Sequence, residues 1–141
     1  MAEILKCRPL VAGRASGSIM ATRQSISFWG GVDPANGRII DPRHDLFDQS
    51  IAGRVLAFPF GKGSAAAPLV LLELSGQGTG PAAIINIDTD PLLVAGPIIS
   101  RHFYGRAAPV VLLTEEAFDR LRTGDDAVVD GIEGEITIHP R

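Results

Sequence analysis

The chain has 141 residues and a formal net charge of −3, from 13 Lys plus Arg against 16 Asp plus Glu. There is no basic excess to draw it to nucleic acid and no acidic run that reads as a disordered tail. Hydrophobic residues make up 45% and charged residues 21%, ordinary for a folded domain, and no apolar stretch approaches the roughly 20 residues of a membrane helix. The start, MAEILKCRPLV, lacks the apolar core and cleavage site of a secretory signal, so one domain over residues 1–141 in the cytoplasm is expected.

Taken in chain order, Ile4–Val11 and Ser18–Ile26 alternate as strands, with AGRASG as the turn between them. Residues Ser27–Ser50 hold few periodic apolar positions and several turn formers, which predicts a long ordered loop with one short strand at Arg38–Ile40. Arg54–Phe58 reads as a strand, Gly61–Ser64 as a tight turn and Ala65–Ser75 as a buried helix whose Pro68 is tolerable in the first turn. Ala82–Ile87 is a strand, and Pro91–Arg101 a helix interrupted near Gly96–Pro97. Pro109–Leu113 is a strand, and Thr114 caps a helix carrying Glu115 and Glu116 in its first turn and ending at Gly124. Ala127–Asp130 and Glu135–His139 form a hairpin through GIEG. Strands alternating with helices imply parallel pairing, and the hairpins add antiparallel pairing. The expected fold is α/β, with a mixed, barrel-like sheet and flanking helices.

The single cysteine, Cys7, cannot form an internal disulfide or hold a zinc or iron–sulfur site by itself, and reads as a packed or half-buried thiol. His44, His102 and His139 are far apart and match no metal-ligand spacing, so any metal chemistry needs a partner's ligands. The most suggestive stretch is Gly61-Lys62-Gly63-Ser64, set between a strand and a helix N-terminus. Unpaired N–H groups there attract anions, glycines admit a carboxylate or phosphate close to the backbone, and Lys62 adds a positive charge. Ser64 either caps the helix or faces a ligand, and as a base its alkoxide needs such donors. This is no Walker A loop, because Leu56 stands where that motif needs glycine, and Gly76–Gly80 follows a helix, unlike a dinucleotide fingerprint.

A second stretch, Ser27-Phe28-Trp29-Gly30-Gly31-Val32-Asp33-Pro34, is either a packed loop anchored by Trp29 or a wall for substrate or a subunit. Asp41, Arg43, His44 and Asp45 form either a solvated turn or an acid–base pair. Arg101-His102-Phe103-Tyr104 is a basic, aromatic run able to touch an anion or a partner. The roles of Arg23, His44 and His102 are open at this level.

In order, SFWGGVDPANGRIID, IAGRVLAFPFGKGS, GPAAIINIDTDPLLVAGPIIS and TGDDAVVDGIEGEITI resemble the small subunit, or swivel domain, of the aconitase X family over nearly the whole chain. The resemblance implies a swivelling β/β/α domain and a two-subunit hydro-lyase. It implies a large partner subunit that holds the iron–sulfur cluster acting as Lewis acid and much of the substrate, a small carboxylate or phosphate. This chain then supplies the serine proton acceptor, Ser64, with Gly61, Lys62, Gly63, Gly30 and Gly31 around the substrate and no metal of its own. Family members commonly follow that serine with Ser, Thr or Gly, whereas this chain has Ala65-Ala66-Ala67-Pro68, so the turn offers no further hydroxyl. Bacterial members resemble dehydratases of cis-3-hydroxy-L-proline and archaeal ones dehydratases of mevalonate 5-phosphate, and the composition leans toward the amino-acid type. A non-catalytic anion-binding or regulatory module is the alternative reading of the same glycine turn.

Overall fold

The structure is a computed structural model that describes residues 2–62, 67–89, 91–105 and 107–141. The first expected strand is two. β1 (Glu3–Lys6) and β2 (Arg8–Val11) are separated by Cys7, whose N–H leaves the ladder to donate to the Gly134 carbonyl at 2.9 Å. β3 (Arg14–Ala21) begins four residues earlier than predicted, because only Ala12–Gly13 makes the turn. After β4 (Ile26–Ser27) comes a one-turn helix, α1 (Phe28–Gly31), where a loop was expected, then the hairpin β5 (Val32–Asp33) and β6 (Arg38–Ile39). β7 (Val55–Ala57) is followed by β8 (Phe60–Lys62), α2 (Ala67–Gln77), β9 (Ala83–Asn86), β10 (Asp88–Thr89) and α3 (Pro91–Tyr104). The chain ends with β11 (Val110–Leu112), α4 (Glu115–Phe118), β12 (Asp126–Asp130) and β13 (Glu135–His139). α4 stops well short of Gly124; Thr114 caps it as expected, its hydroxyl accepting from the Ala117 N–H at 3.2 Å.

Among the described residues, eight strands form one sheet in the order β1-β13-β12-β3-β7-β9-β11-β2. β3, β7, β9 and β11 run parallel, while β12, β13, β1 and β2 pair antiparallel with their neighbours. Only Cys7 separates the two edge strands β1 and β2 in sequence, so the sheet must curl until its edges approach, which is the barrel-like closure expected. Consecutive strand residues face opposite ways, and both faces are apolar. Ile19, Val55, Ile85, Val111, Val129 and Ile136 fill the barrel interior with Phe118 and Leu121, whereas Met20, Leu56, Phe58, Ile84 and Val110 pack outward. Val70, Leu71 and Leu74 of α2 and Leu93 of α3 cover that outer face. The β7-α2-β9 and β9-α3-β11 crossovers therefore lay two helices on one side of the parallel strands.

The interruption expected in α3 is absent: the helix runs through Pro97. Gly96, beside it, is where α3 touches α2. A Cβ on Gly96 would lie 2.8 Å from the Cβ of Leu71 and 3.2 Å from the Pro68 carbonyl, so the pair owes its close approach to the missing side chain.

Candidate functional site

A small second sheet, in the order β10-β8-β4, carries Gly61 and Lys62 of the glycine stretch. Its strands are parallel, with Ile26 opposite Gly61, Ser27 opposite Lys62 and Thr89 opposite Gly61. Each leads into a helix: β4 directly into α1, β8 through residues 63–66 into α2, and β10 through residue 90 into α3. Three strand C-termini and three helix N-termini thus meet at one rim. Ligands of open α/β sheets bind outside the carboxyl ends of the strands, where unpaired helix N–H groups face an anion.

The sequence explains this rim locally. Pro59 ends the β7 ladder and its carbonyl accepts the N–H groups of Ile87 at 2.9 Å and Asp88 at 3.1 Å, so β7–β8 and β9–β10 leave the barrel together. The fully buried Asn86 reinforces the bend: its Nδ2 donates to the Phe58 carbonyl at 2.8 Å and to that of Ile85 at 3.2 Å. Sequence reasoning missed Asn86 and β10; the available signal was a polar residue closing the apolar run AAII. α1 is pinned by Phe28, fully buried against Phe58 with ring centroids 6.0 Å apart. That anchoring was expected of Trp29, whose side chain lies outside the described residues.

Gly61 and Lys62 belong to β8, where a tight turn was predicted, and their backbones pair with β4 and β10; their side-chain surroundings are outside the described residues, as are Gly63 and Ser64 altogether. Gly30 has φ +78°, a left-handed conformation that favours glycine, and a Cβ there would meet nothing within 4 Å. A Cβ on Gly31 would meet only the Ser27 Cβ at 3.9 Å. The paired glycines therefore leave the α1 backbone uncovered at the rim.

The turn of Asp41, Arg43, His44 and Asp45 is solvated at Arg43 and Asp45, whose side chains are 91% and 51% exposed, but its histidine is tucked inward. Thr22, itself buried, donates its hydroxyl to both Asp45 oxygens at 2.7 and 2.8 Å, and the Asp45 N–H donates to Gln24 Oε1 at 2.6 Å. The His44 side chain is only 8% exposed. Its Nδ1 accepts the Leu46 N–H at 3.1 Å and lies 3.2 Å from Asp45 Oδ1. Asp41 accepts the Arg43 N–H at 3.0 Å, which, with the Arg43 side chain adding to it, holds its carboxyl below the usual carboxylate range.

The other candidates fall elsewhere. Arg23 pairs with Asp119 at 2.9 Å and Glu115 at 3.4 Å and lies 5.5 Å from the centre of the Phe118 ring, so it braces α4. His102 sits eleven residues past the start of α3, or ~16 Å along its axis at 1.5 Å per residue, and Arg101 donates to the Ala12 carbonyl; the basic, aromatic run is remote from the rim. Cys7 is half-buried, and burial, followed by the charges of Asp130 and Glu135, pushes its thiol up to about 11. Among the described residues no three of His, Cys, Asp and Glu gather into a metal site. Cys7, the one cysteine in the sequence, offers a cluster a single thiol ligand.

A family model described as the aconitase X swivel domain matches residues 4–138. The chain belongs to that family. The swivel domain is 40% identical over 135 residues to the phosphomevalonate dehydratase small subunit of Methanosarcina acetivorans, covering 95% of this chain and 90% of that one. It is 42% identical over 120 residues to the cis-3-hydroxy-L-proline dehydratase of Pseudomonas aeruginosa, covering 85% of this chain and 20% of that much longer protein. The crystal structure of Thermococcus kodakaraensis aconitase X in its holo form superposes with a TM-score of 0.85 at 37% identity, covering 96% of this chain and 98% of the other. The α/β swivel fold expected from the motifs is therefore the fold found. No helix among the described residues is long and apolar enough to cross a membrane.

Proposed function

We propose that this chain is a single swivel domain over residues 1–141, the cytoplasmic small subunit of a dehydratase whose large subunit holds the iron–sulfur cluster. Neither nucleic acid nor membrane is a partner in this reading. The observation that carries it is the rim where β4, β8 and β10 end against three helix N-termini, on a family fold whose relatives bear dehydratase names. Ser64, in the segment joining β8 to α2, is the base. The α2 N-terminus, equivalent to roughly half a positive charge, and neighbouring backbone donors stabilise its alkoxide. The alkoxide takes the proton from the carbon beside the substrate carboxylate. The C–H electrons form the new double bond, and the hydroxyl on the next carbon leaves with its bonding pair and takes up a proton from solvent to depart as water, while Ser64 returns the proton it accepted to solvent. Gly61, Lys62, Gly63, Gly30 and Gly31 surround the substrate.

The substrate in this reading is cis-3-hydroxy-L-proline, supported by the Pseudomonas relative and by an ionised carboxylate, Asp41, beside the Ser27–Gly31 stretch. Mevalonate 5-phosphate is the second reading, favoured by small-subunit relatives that align over almost the whole chain, those of Methanosarcina acetivorans and Pyrococcus furiosus among them. Both are 3-hydroxycarboxylates and need the same proton removed. The test is Ser64→Ala in the complex reconstituted with its large subunit. General-base loss of about 10²–10⁴-fold in kcat, with exchange of the substrate α-proton into deuterated water lost in parallel, is expected for whichever substrate is turned over. Near-wild-type turnover by Ser64→Ala would remove the base from Ser64.

A further inference from the structure

A cavity of about 140 Å³ opens beside the rim, between β4, the end of α1 and the turn of residues 41–46. Ser25, Ser27, Gly31, Asp41 and His44 line it over a floor of Ile26 and Ile39. His44 is the unusual member. The N–H of Leu46 points at Nδ1 and requires a lone pair there, while the Asp45 carboxylate nearby is already claimed by the Thr22 hydroxyl. The neutral ring therefore carries its proton on Nε2. That Nε2 is buried, and no described residue accepts from it. Leaving a buried donor unpaired is unfavourable, so a ring fixed in this tautomer by its own turn points to an acceptor that comes from outside the chain.

The second functional group in the wall is Asp41, ionised and held by Arg43. A donor and a carboxylate in one small cavity match a zwitterion. Size sets how much of one enters. A cavity near 150 Å³ takes a benzene, six heavy atoms, so about 140 Å³ holds one end of a nine-heavy-atom hydroxyproline.

We infer that this cavity seats the polar end of an amino-acid substrate, with the His44 Nε2–H donating to its carboxylate and Asp41 pairing with its protonated ring nitrogen. The inference rests on the hydroxyproline reading given above and adds two specificity-determining residues to it. Because Nε2 is closed off from solvent, the acceptor enters as the cavity wall gives way.

The experiment is steady-state kinetics of the reconstituted two-subunit complex with cis-3-hydroxy-L-proline and, separately, mevalonate 5-phosphate. Asp41→Asn keeps an oxygen for the Arg43 N–H and removes the charge; it should raise KM for the amino acid roughly tenfold or more, with a much smaller change in kcat. His44→Asn keeps an acceptor near Nδ1 and loses the Nε2 donor, with the same expected result, whereas His44→Gln restores a donor and should recover most of the affinity. In nitrogen-15 spectra of the wild-type complex, the Nε2-bound proton of His44 should shift on adding the amino acid. If cis-3-hydroxy-L-proline is dehydrated with unchanged KM by both Asp41→Asn and a folded His44→Asn, the cavity assignment falls and the substrate reading stands. Should His44→Asn fail to fold, Asp41→Asn alone decides in the same way. A wild-type complex that dehydrates only mevalonate 5-phosphate overturns the substrate reading and the cavity assignment with it.

Discussion

Replacing Gly96 by alanine sets two effects of opposite sign against each other. Alanine in place of glycine inside a helix contributes about 0.5–1 kcal/mol through reduced backbone entropy in the unfolded chain. Against this, the new methyl would stand 2.8 Å from the Leu71 Cβ, 3.2 Å from the Pro68 carbonyl and 3.3 Å from Leu71 Cδ1. The first two belong to the α2 backbone or move only with it, so the helices must part, and overpacking of this kind costs typically 1–3 kcal/mol. The clash wins. Gly96→Ala should destabilise the subunit by about 1–2 kcal/mol, a fall in Tm of roughly 3–6 °C for a chain of this size. Gly76→Ala is the control within the same helix pair. Its methyl would meet the Tyr104 hydroxyl at 2.9 Å, but Tyr104 is 48% exposed and its ring can turn aside, so the helix gain should survive as a small rise in Tm. Urea and thermal unfolding followed by circular dichroism measure both. A Gly96→Ala protein as stable as Gly76→Ala would refute the claim that helix contact at Gly96 is limited by backbone approach. In the complex, the same variant should lower turnover, because α2 and α3 both begin at the rim.

Two further outcomes follow from the described contacts. Thr22→Val keeps the shape of a buried residue but removes the donor to Asp45 and the acceptor for the Gln24 N–H; a loss of about 2 kcal/mol in urea unfolding is expected, and full stability would show that the latch on the 41–46 turn contributes nothing. Cys7, with its thiol raised from 9.0 to about 11, should react with iodoacetamide about a hundredfold more slowly at pH 8 than in the unfolded chain, since its thiolate fraction falls by that factor. A raised folded pKa means the thiol's contribution to stability is present below pH 9 and is lost as pH rises through about 11; equal alkylation rates in folded and unfolded protein would contradict this.

The barrel was legible because its strands are buried on both faces and read as apolar runs bounded by Gly and Pro: VLAF, AAIIN and PVVLL each contain a strand found in the structure. The rim was less legible, for a physical reason. β4, β8 and β10 are two or three residues long, too short for any periodicity, and Gly61 in β8 reads as a turn former when only its neighbours are known. Its extended backbone is set by β4 on one side and β10 on the other, partners distant in sequence. The 41–46 turn misled in the opposite direction. Four polar or charged letters suggest solvent, and Arg43 and Asp45 are exposed, yet Thr22 and Gln24 reach Asp45 from the β3–β4 connection and the His44 side chain beside it is buried. Nothing near His44 in sequence signals that. Pro97 misled through local chemistry, since a proline normally ends a helix; here the covering contact of Gly96 on Leu71 holds α3 in place across it.

The division into two sheets bears on how such a site works. Catalytic groups need backbone donors left unpaired and glycines left uncovered, and both weaken the structure that carries them. The chain separates the two demands. The curled eight-strand sheet and its helix layer hold most of the large buried side chains, while the uncovered glycine backbone lies beside a three-strand extension that is rooted in the same core by Ile26 and Phe28 and joined to the barrel at Phe58–Pro59 and at Asn86–Ile87. Those joints are the best-tied places between the two sheets: a proline carbonyl taking two N–H groups, and a fully buried asparagine bridging two strand ends. Substituting Asn86 should therefore disturb the rim's alignment more than the barrel's packing. The same joints hold Ser27, Gly30 and Gly31 together at the rim.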